Sequence, residues 1–219
     1  MQKPAYLSSF GRNRGRSLRP YQQRLVDELL STLMPKPDAP KEGFAKLALE
    51  IGFGGGEHLL AQAAHNPDTL FIGCEPFING VAKCLAGIDQ RKLKNIRLFT
   101  RDARELVEKM PDACVDSAFI LFPDPWPKVR HNKRRLVNAD TLQMLARIHK
   151  KGGRLLIATD HVDYSEWILE VLLSHPDYQW TAKEQGDWAN PPTDWTETKY
   201  QRKTTEQGRQ PVFMECVRR

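Results

Sequence analysis

The chain has 219 residues, enough for one well-cored α/β domain with extensions and short for two full domains. Hydrophobic residues make up 40% and charged residues 27%, which excludes a compositionally disordered chain, and no apolar run approaches the roughly 18 residues of a membrane helix. The net charge of +6 is concentrated: Lys3, Arg12, Arg14, Arg16, Arg19 and Arg24 all precede the first acid, Asp27, and together equal the whole excess.

Residues 1–19 read as a flexible basic arm without the apolar core of a secretory signal. Pro20 suits a first helical turn, and Val26, Leu29, Leu30 and Leu33 recur at helical spacing to about Met34. Pro35, Pro37 and Pro40 form a linker, dividing the chain into a basic arm and helix over 1–40 and an α/β domain over 41–219. Strands are predicted at 45–51, 69–75, 96–100, 115–122 and 154–159, with helices at 57–65, 78–91, 103–110, 141–149 and 164–173 between and after them. Gly152-Gly153 marks the break before the fifth strand, and two final strands at 178–183 and 212–217 flank a long loop. Five βα units in series require a parallel sheet covered by helices on both faces, with ligands at the carboxyl ends of its strands.

Five strands end at or just before an acid: Glu50, Glu75, Asp102, Asp124 and Asp160. All five are expected on the ligand-binding rim. The first strand runs into a glycine turn, with Gly52, Gly54 and Gly56 free to bring backbone close to a ligand. Glu75 lies where an acid can hold both hydroxyls of a ribose. Glu57 opens the next helix, where a pyrophosphate would otherwise bind, and its charge turns the reading from a dinucleotide toward S-adenosylmethionine. Asp102 is equally suited to accept from an adenine amino group or to cap the helix that follows. The stiff loop Phe122-Pro123-Asp124-Pro125-Trp126-Pro127 presents an acid in fixed geometry, with Trp126 either plugging the core or facing the site.

Cys74, Cys84, Cys114 and Cys216 form no CxxC pair and no His cluster accompanies them, so neither a metal site nor a disulfide framework is expected. Free thiols suit a cytoplasmic setting. No His–acid pair is expected at the rim. A second basic segment, Lys128 to Arg135, contains Lys128, Arg130, His131, Asn132, Lys133, Arg134 and Arg135 and no acid. Localised basic segments on a balanced body point to a polyanionic partner.

The stretch Phe122-Pro-Asp-Pro-Trp-Pro-Lys128, followed by Arg130-His-Asn-Lys-Arg-Arg135, resembles the tRNA (guanine-N7-)-methyltransferase family. Leu49-Glu-Ile-Gly-Phe-Gly54, Ala158-Thr-Asp160 and Thr198-Lys-Tyr200 extend the likeness from about Ala45 to Gln201. The resemblance implies a Rossmann-like, doubly wound, mostly parallel seven-stranded sheet with an antiparallel last strand. It implies an enzyme that methylates guanine-46 N7 in the tRNA variable loop. Glu50, Gly52, Gly54, Glu75, Asp102 and Asp124 would contact S-adenosylmethionine, with Asp124 catalytic. Lys128, Asp160, Thr198, Lys199, Tyr200 and Gln201 would contact the substrate, although the family usually has Glu where this chain has Gln201. Residues Arg130 to Arg135, with Arg12, Arg14 and Arg16, would meet the RNA. A monomer is expected, with a homodimer open and no membrane partner. Another RNA, a small molecule or a protein as substrate remains open, as does a non-catalytic RNA-binding role.

Overall fold

A computed structural model describes Gly11 and residues 15–219. Arg12 and Arg14 lie outside the described residues, so the expectation that they meet RNA has no structural account. Helix α1 (Pro20–Glu28) starts at its proline, as expected, but ends six residues early and gives way to a tighter turn over Leu30–Leu33. The alternating units follow as β1 (Lys46–Ile51), α2 (Glu57–His65), β2 (Thr69–Cys74), α3 (Ile78–Arg91), β3 (Ile96–Phe99), α4 (Ala103–Val107) and β4 (Val115–Leu121). They continue as α5 (Ala139–Ile148), β5 (His149–Thr159), α6 (Val162–Ser174) and β6 (Tyr178–Trp180). Two short helices, α7 (Gly186–Ala189) and α8 (Lys199–Glu206), precede β7 (Val212–Arg218).

The seven strands form one sheet in the order β3-β2-β1-β4-β5-β7-β6. The five strands from β3 to β5 pair in parallel, and β7 inserts antiparallel to both β5 and β6. This is the doubly wound, mostly parallel sheet that the βα series and the resemblance imply. The strand order reverses between β1 and β4, so their carboxyl ends diverge into a crevice there.

Two cores lie on the two faces of the sheet. Leu47, Leu49 and Ile51 of β1 pack with residues of α4, α5 and α6. Ala48 points the other way and packs with α1, α2 and α3. The period of two along the strand places Glu50 on that second face, buried beside α2.

Three elements differ from the sequence reading. Strand β5 begins at His149, five residues early, and passes through Gly152-Gly153 by way of a register shift against Val115–Ser117 of β4. Gly152 takes φ +75°, so the glycine pair reshapes the strand instead of separating it from α5. Helices α7 and α8 occupy the stretch read as loop. Helix α8, Lys-Tyr-Gln-Arg-Lys-Thr-Thr-Glu, has no apolar stripe to reveal it. Its one signal is Thr198, whose side chain accepts from Gln201 N–H at 3.1 Å in the manner of an N-cap.

The sharpest backbone approach lies between the glycine turn and α3. A Cβ added to Gly80 would sit 2.3 Å from the Gly54 carbonyl oxygen, whereas one added to Gly87 would meet only the tip of Leu60, also at 2.3 Å. Backbone cannot yield as a leucine rotamer can. Gly80→Ala should therefore destabilise by about 1–3 kcal/mol, the usual range for overpacking. Gly87→Ala should cost less, and urea unfolding of both variants, with unchanged slope, checks the order.

Candidate active site

The crevice at the strand ends is a cleft of about 740 Å³. Glu50, Glu75, Asp102 and Asp124 all line it, together with the glycine turn, Glu57 and His58, the Asp124 loop, and Thr198, Lys199 and Tyr200. Four of the five acids expected on the rim are thus gathered. Asp160 is not among the lining residues: it is buried and paired with Arg209.

Glu75 is tied at both oxygens. Gly54 N–H donates to Oε2 and Phe77 N–H donates to Oε1, each at 2.9 Å. One carboxylate therefore fixes the glycine turn to the start of α3. Burial raises its pKa, those two backbone donors oppose the rise, and the nearby Asp124 charge adds to it.

Glu50 does have a histidine partner, contrary to the expectation of none. His58 Nδ1 lies 2.8 Å from Glu50 Oε2, and both residues are 2% exposed. Residue 58 falls in the first turn of α2, which packs on the face toward which Glu50 points, so the pair follows from strand periodicity plus helix position. Phe119 and Trp195 hold the imidazole, at ring distances of 4.9 and 5.3 Å. This histidine orients a carboxylate from inside the core.

Asp102 takes the capping role. Its Oδ1 accepts from Arg104 N–H at 3.0 Å, and its Oδ2 pairs with Arg104 Nη2 at 2.5 Å. Asp124, in contrast, is exposed to the cleft. It stands between Phe122 at φ +51° and Trp126 at φ +46°, left-handed conformations that bulky residues rarely adopt. Such strain costs on the order of 1–3 kcal/mol per residue and clusters at functional sites. The Phe122 N–H bond to the Ala158 carbonyl, 2.7 Å, helps to hold the turn. Trp126 belongs to neither core: its ring meets His131 edge-on at 6.0 Å and lies under the Arg134 guanidinium at 5.0 Å.

The basic segment forms a turn of 3-10 helix, Val129–Arg134, with Lys128, Arg130 and Lys133 exposed and His131, Asn132 and Arg134 half-buried. Desolvation first, then the cations of Arg134, Arg130, Lys128 and Lys133, hold the His131 pKa below the ordinary imidazole range. Arg135 departs from its expected role. Only 1% of its side chain is exposed; it pairs with Asp163, donates to the Pro125 carbonyl at 3.1 Å, and stacks against Tyr164 and Trp167 at 5.0 and 5.1 Å. A residue so enclosed anchors the Asp124 loop to α6 and does not face a ligand.

Gln201 is also engaged. Its Oε1 accepts from the Trp195 indole N–H at 2.6 Å, so the amide braces an aromatic of the wall. Near the lining residue Phe77, Asn79 receives the Gly15 N–H at 2.8 Å and donates to the Arg16 carbonyl at 2.6 Å. That clasp seats exposed Arg16 beside the cleft, where Gly11 joins the lining. His58, Asn79 and Gly80 carry no pattern in the sequence that singles them out. All four cysteines are buried, and burial raises the thiol pKa of each, so none is a poised nucleophile.

A family model described as "Putative methyltransferase" matches residues 45–214. A tRNA (guanine-N(7)-)-methyltransferase of Hyphomonas neptunium is 47% identical over 90% of this chain and 93% of its own length. The enzyme of the same name from Caulobacter vibrioides is 44% identical over 97% and 95%. Among solved structures, the 16S rRNA methyltransferase KamB superposes with a TM-score of 0.57 at 16% identity, covering 82% of this chain and 91% of that one, a likeness of fold. On the strength of the sequence relatives, the chain belongs to the tRNA (guanine-N(7)-)-methyltransferase family.

Proposed function

We propose that this protein transfers a methyl group from S-adenosylmethionine to N7 of a guanosine in tRNA, guanine-46 of the variable loop. The observation that carries the reading is the convergence of Glu50, Glu75, Asp102 and Asp124 on one cleft, with the basic turn Val129–Arg134 following its lining residue Trp126. The donor set fits a cationic, phosphate-free nucleoside. Glu57 at the start of α2 opposes a pyrophosphate there, and the cleft volume falls within the range of small-molecule sites.

When bound, S-adenosylmethionine supplies an electrophilic methyl group on a sulfonium. Glu75 keeps a free lone pair on each oxygen beside its backbone donors, and these are suited to ribose hydroxyls. Glu50, held by His58, contributes fixed negative charge. Guanine N7 has a lone pair and no proton, so no general base is needed and positioning supplies much of the rate. Asp124 stands on a strained turn with its carboxylate toward the cleft, where it stabilises positive charge developing on the purine. Trp126 or Tyr200 offers a stacking face for the exposed base.

The A-form major groove hides N7, so the enzyme must grip phosphates and expose the base. Lys128, Arg130, Lys133 and Arg16 are exposed and suited to that grip. Four free, buried thiols suit the reducing cytoplasm in which a tRNA-modifying enzyme would work.

Incubation with unmodified tRNA and labelled S-adenosylmethionine should place the mark on guanine N7 of the variable loop; a mark at another atom, or none, contradicts the reading. Asp124→Ala should lower the single-turnover rate by about 10²-fold or more while the melting temperature holds, the scale of losing one preorganised electrostatic group. The raised pKa of Glu75 has a further consequence. The ionised form accepts from the ribose, so acidification should weaken cofactor binding at a higher pH than an ordinary glutamate would dictate. Calorimetry from pH 8 downward should show this loss in the wild type, and Glu75→Gln should bind weakly with that pH dependence removed.

A further inference from the structure

Asp160 is the rim acid that does not line the cleft, and it is paired with Arg209. The side chain of Asp160 is 5% exposed, and Arg209 Nη1 lies 2.6 Å from its Oδ2. The sheet dictates this meeting. Strand β7 runs antiparallel to β5 with Val212 opposite Thr159, so the turn before β7 crosses the residue after β5. That turn is short: α8 ends at Glu206, Gly208 takes φ +74°, and Arg209 N–H donates to the Thr204 carbonyl at 3.0 Å. Gln207 Oε1 steadies the guanidinium, accepting from Nη2 at 2.6 Å.

The pairing is close but badly aligned. Asp160 Oδ2 is buried and makes no hydrogen bond of good geometry, whereas a guanidinium normally gives a carboxylate two parallel N–H bonds. The side chain of Arg209 is 43% exposed, so it has room to leave. Tyr200 reports the same corner. Burial first, then the charge of Asp160, raises its pKa; Arg209 opposes the rise and Asp124 adds to it. Tyr200 and Asp124 both line the cleft, so the corner adjoins the site.

The Watson–Crick edge of guanine presents N1–H and N2–H side by side, the same planar pair of donors that a guanidinium presents. We propose that Arg209 is a guard that mimics the substrate: it pairs with Asp160 until a guanine enters, and the base then displaces it and completes the two-bond fork. This inference rests on the reading of guanine methylation above and adds a residue that competes with the base for Asp160. Adenine offers an acceptor where guanine offers N1–H, so it cannot relieve Asp160 and the guard stays in place. The displaced guanidinium is then free to meet a phosphate.

Free guanosine 5′-monophosphate, used to inhibit tRNA methylation, tests the guard. A side chain that occupies Asp160 about nine-tenths of the time weakens apparent affinity about tenfold. Arg209→Ala should therefore be inhibited at about one-tenth the concentration needed for wild type, with Arg209→Lys between them and adenosine 5′-monophosphate ineffective throughout. Affinity for S-adenosylmethionine should be unchanged in both variants, which separates loss of the guard from loss of fold. Asp160→Asn should abolish the gain in the Arg209→Ala background. If Asp160→Asn weakens guanine inhibition but Arg209→Ala is no more sensitive than wild type, the guard is refuted and the methylation reading survives. If Asp160→Asn has no effect on guanine inhibition, Asp160 does not read the base and the inference falls with that assignment.

Discussion

Glu75 accepts two backbone hydrogen bonds, from Gly54 and Phe77, and the geometry of the cleft depends on that carboxylate. It joins the end of β2, the glycine turn after β1 and the start of α3 in one cluster. The close approach of Gly80 to the Gly54 carbonyl leaves that cluster little slack. Placing a half-buried charge here costs solvation, and the two N–H donors offset part of the cost. What results is a wall of negative charge held in fixed geometry.

The opposite wall depends on a different device. Phe122 and Trp126 adopt left-handed backbone conformations around Asp124, and the rest of the molecule holds them there. Arg135 does much of this. Buried between Tyr164 and Trp167, paired with Asp163 and donating to the Pro125 carbonyl, it fastens the loop to α6. The basic segment thus divides its labour: its outer cations are available to a polyanion, while its last arginine fixes the acid. Arg134 lies between the two, over the Trp126 ring.

Much of the fold was legible because apolar periodicity is strong where elements are buried. Helices α2 and α3 fall at 57–65 and 78–91 as read, and the parallel strands lie within a residue of their expected ends, apart from the start of β5. Helix α8 was not legible, since a polar helix over a cleft carries no stripe. The start of β5 was missed because a glycine pair reads the same whether it ends an element or bends one. The rim acids were readable from strand ends, but their partners were not. His58, Asn79 and Arg209 meet their acids or backbone across 8 to 64 residues of sequence, and only the sheet order brings them together. Arg135 and Arg134 look alike in a basic run, yet one is buried and the other covers an indole, a difference set by α6 packing.

For the proposed transfer to occur, a single sheet edge must hold a cationic methyl donor against Asp124. A crystal structure of the protein with S-adenosylmethionine tests it most directly. The ribose hydroxyls should lie on Glu75, with the sulfonium methyl facing the side of the cleft bounded by Asp124 and Tyr200. Density for the cofactor outside this cleft, or within it but with neither carboxylate in contact, would contradict it.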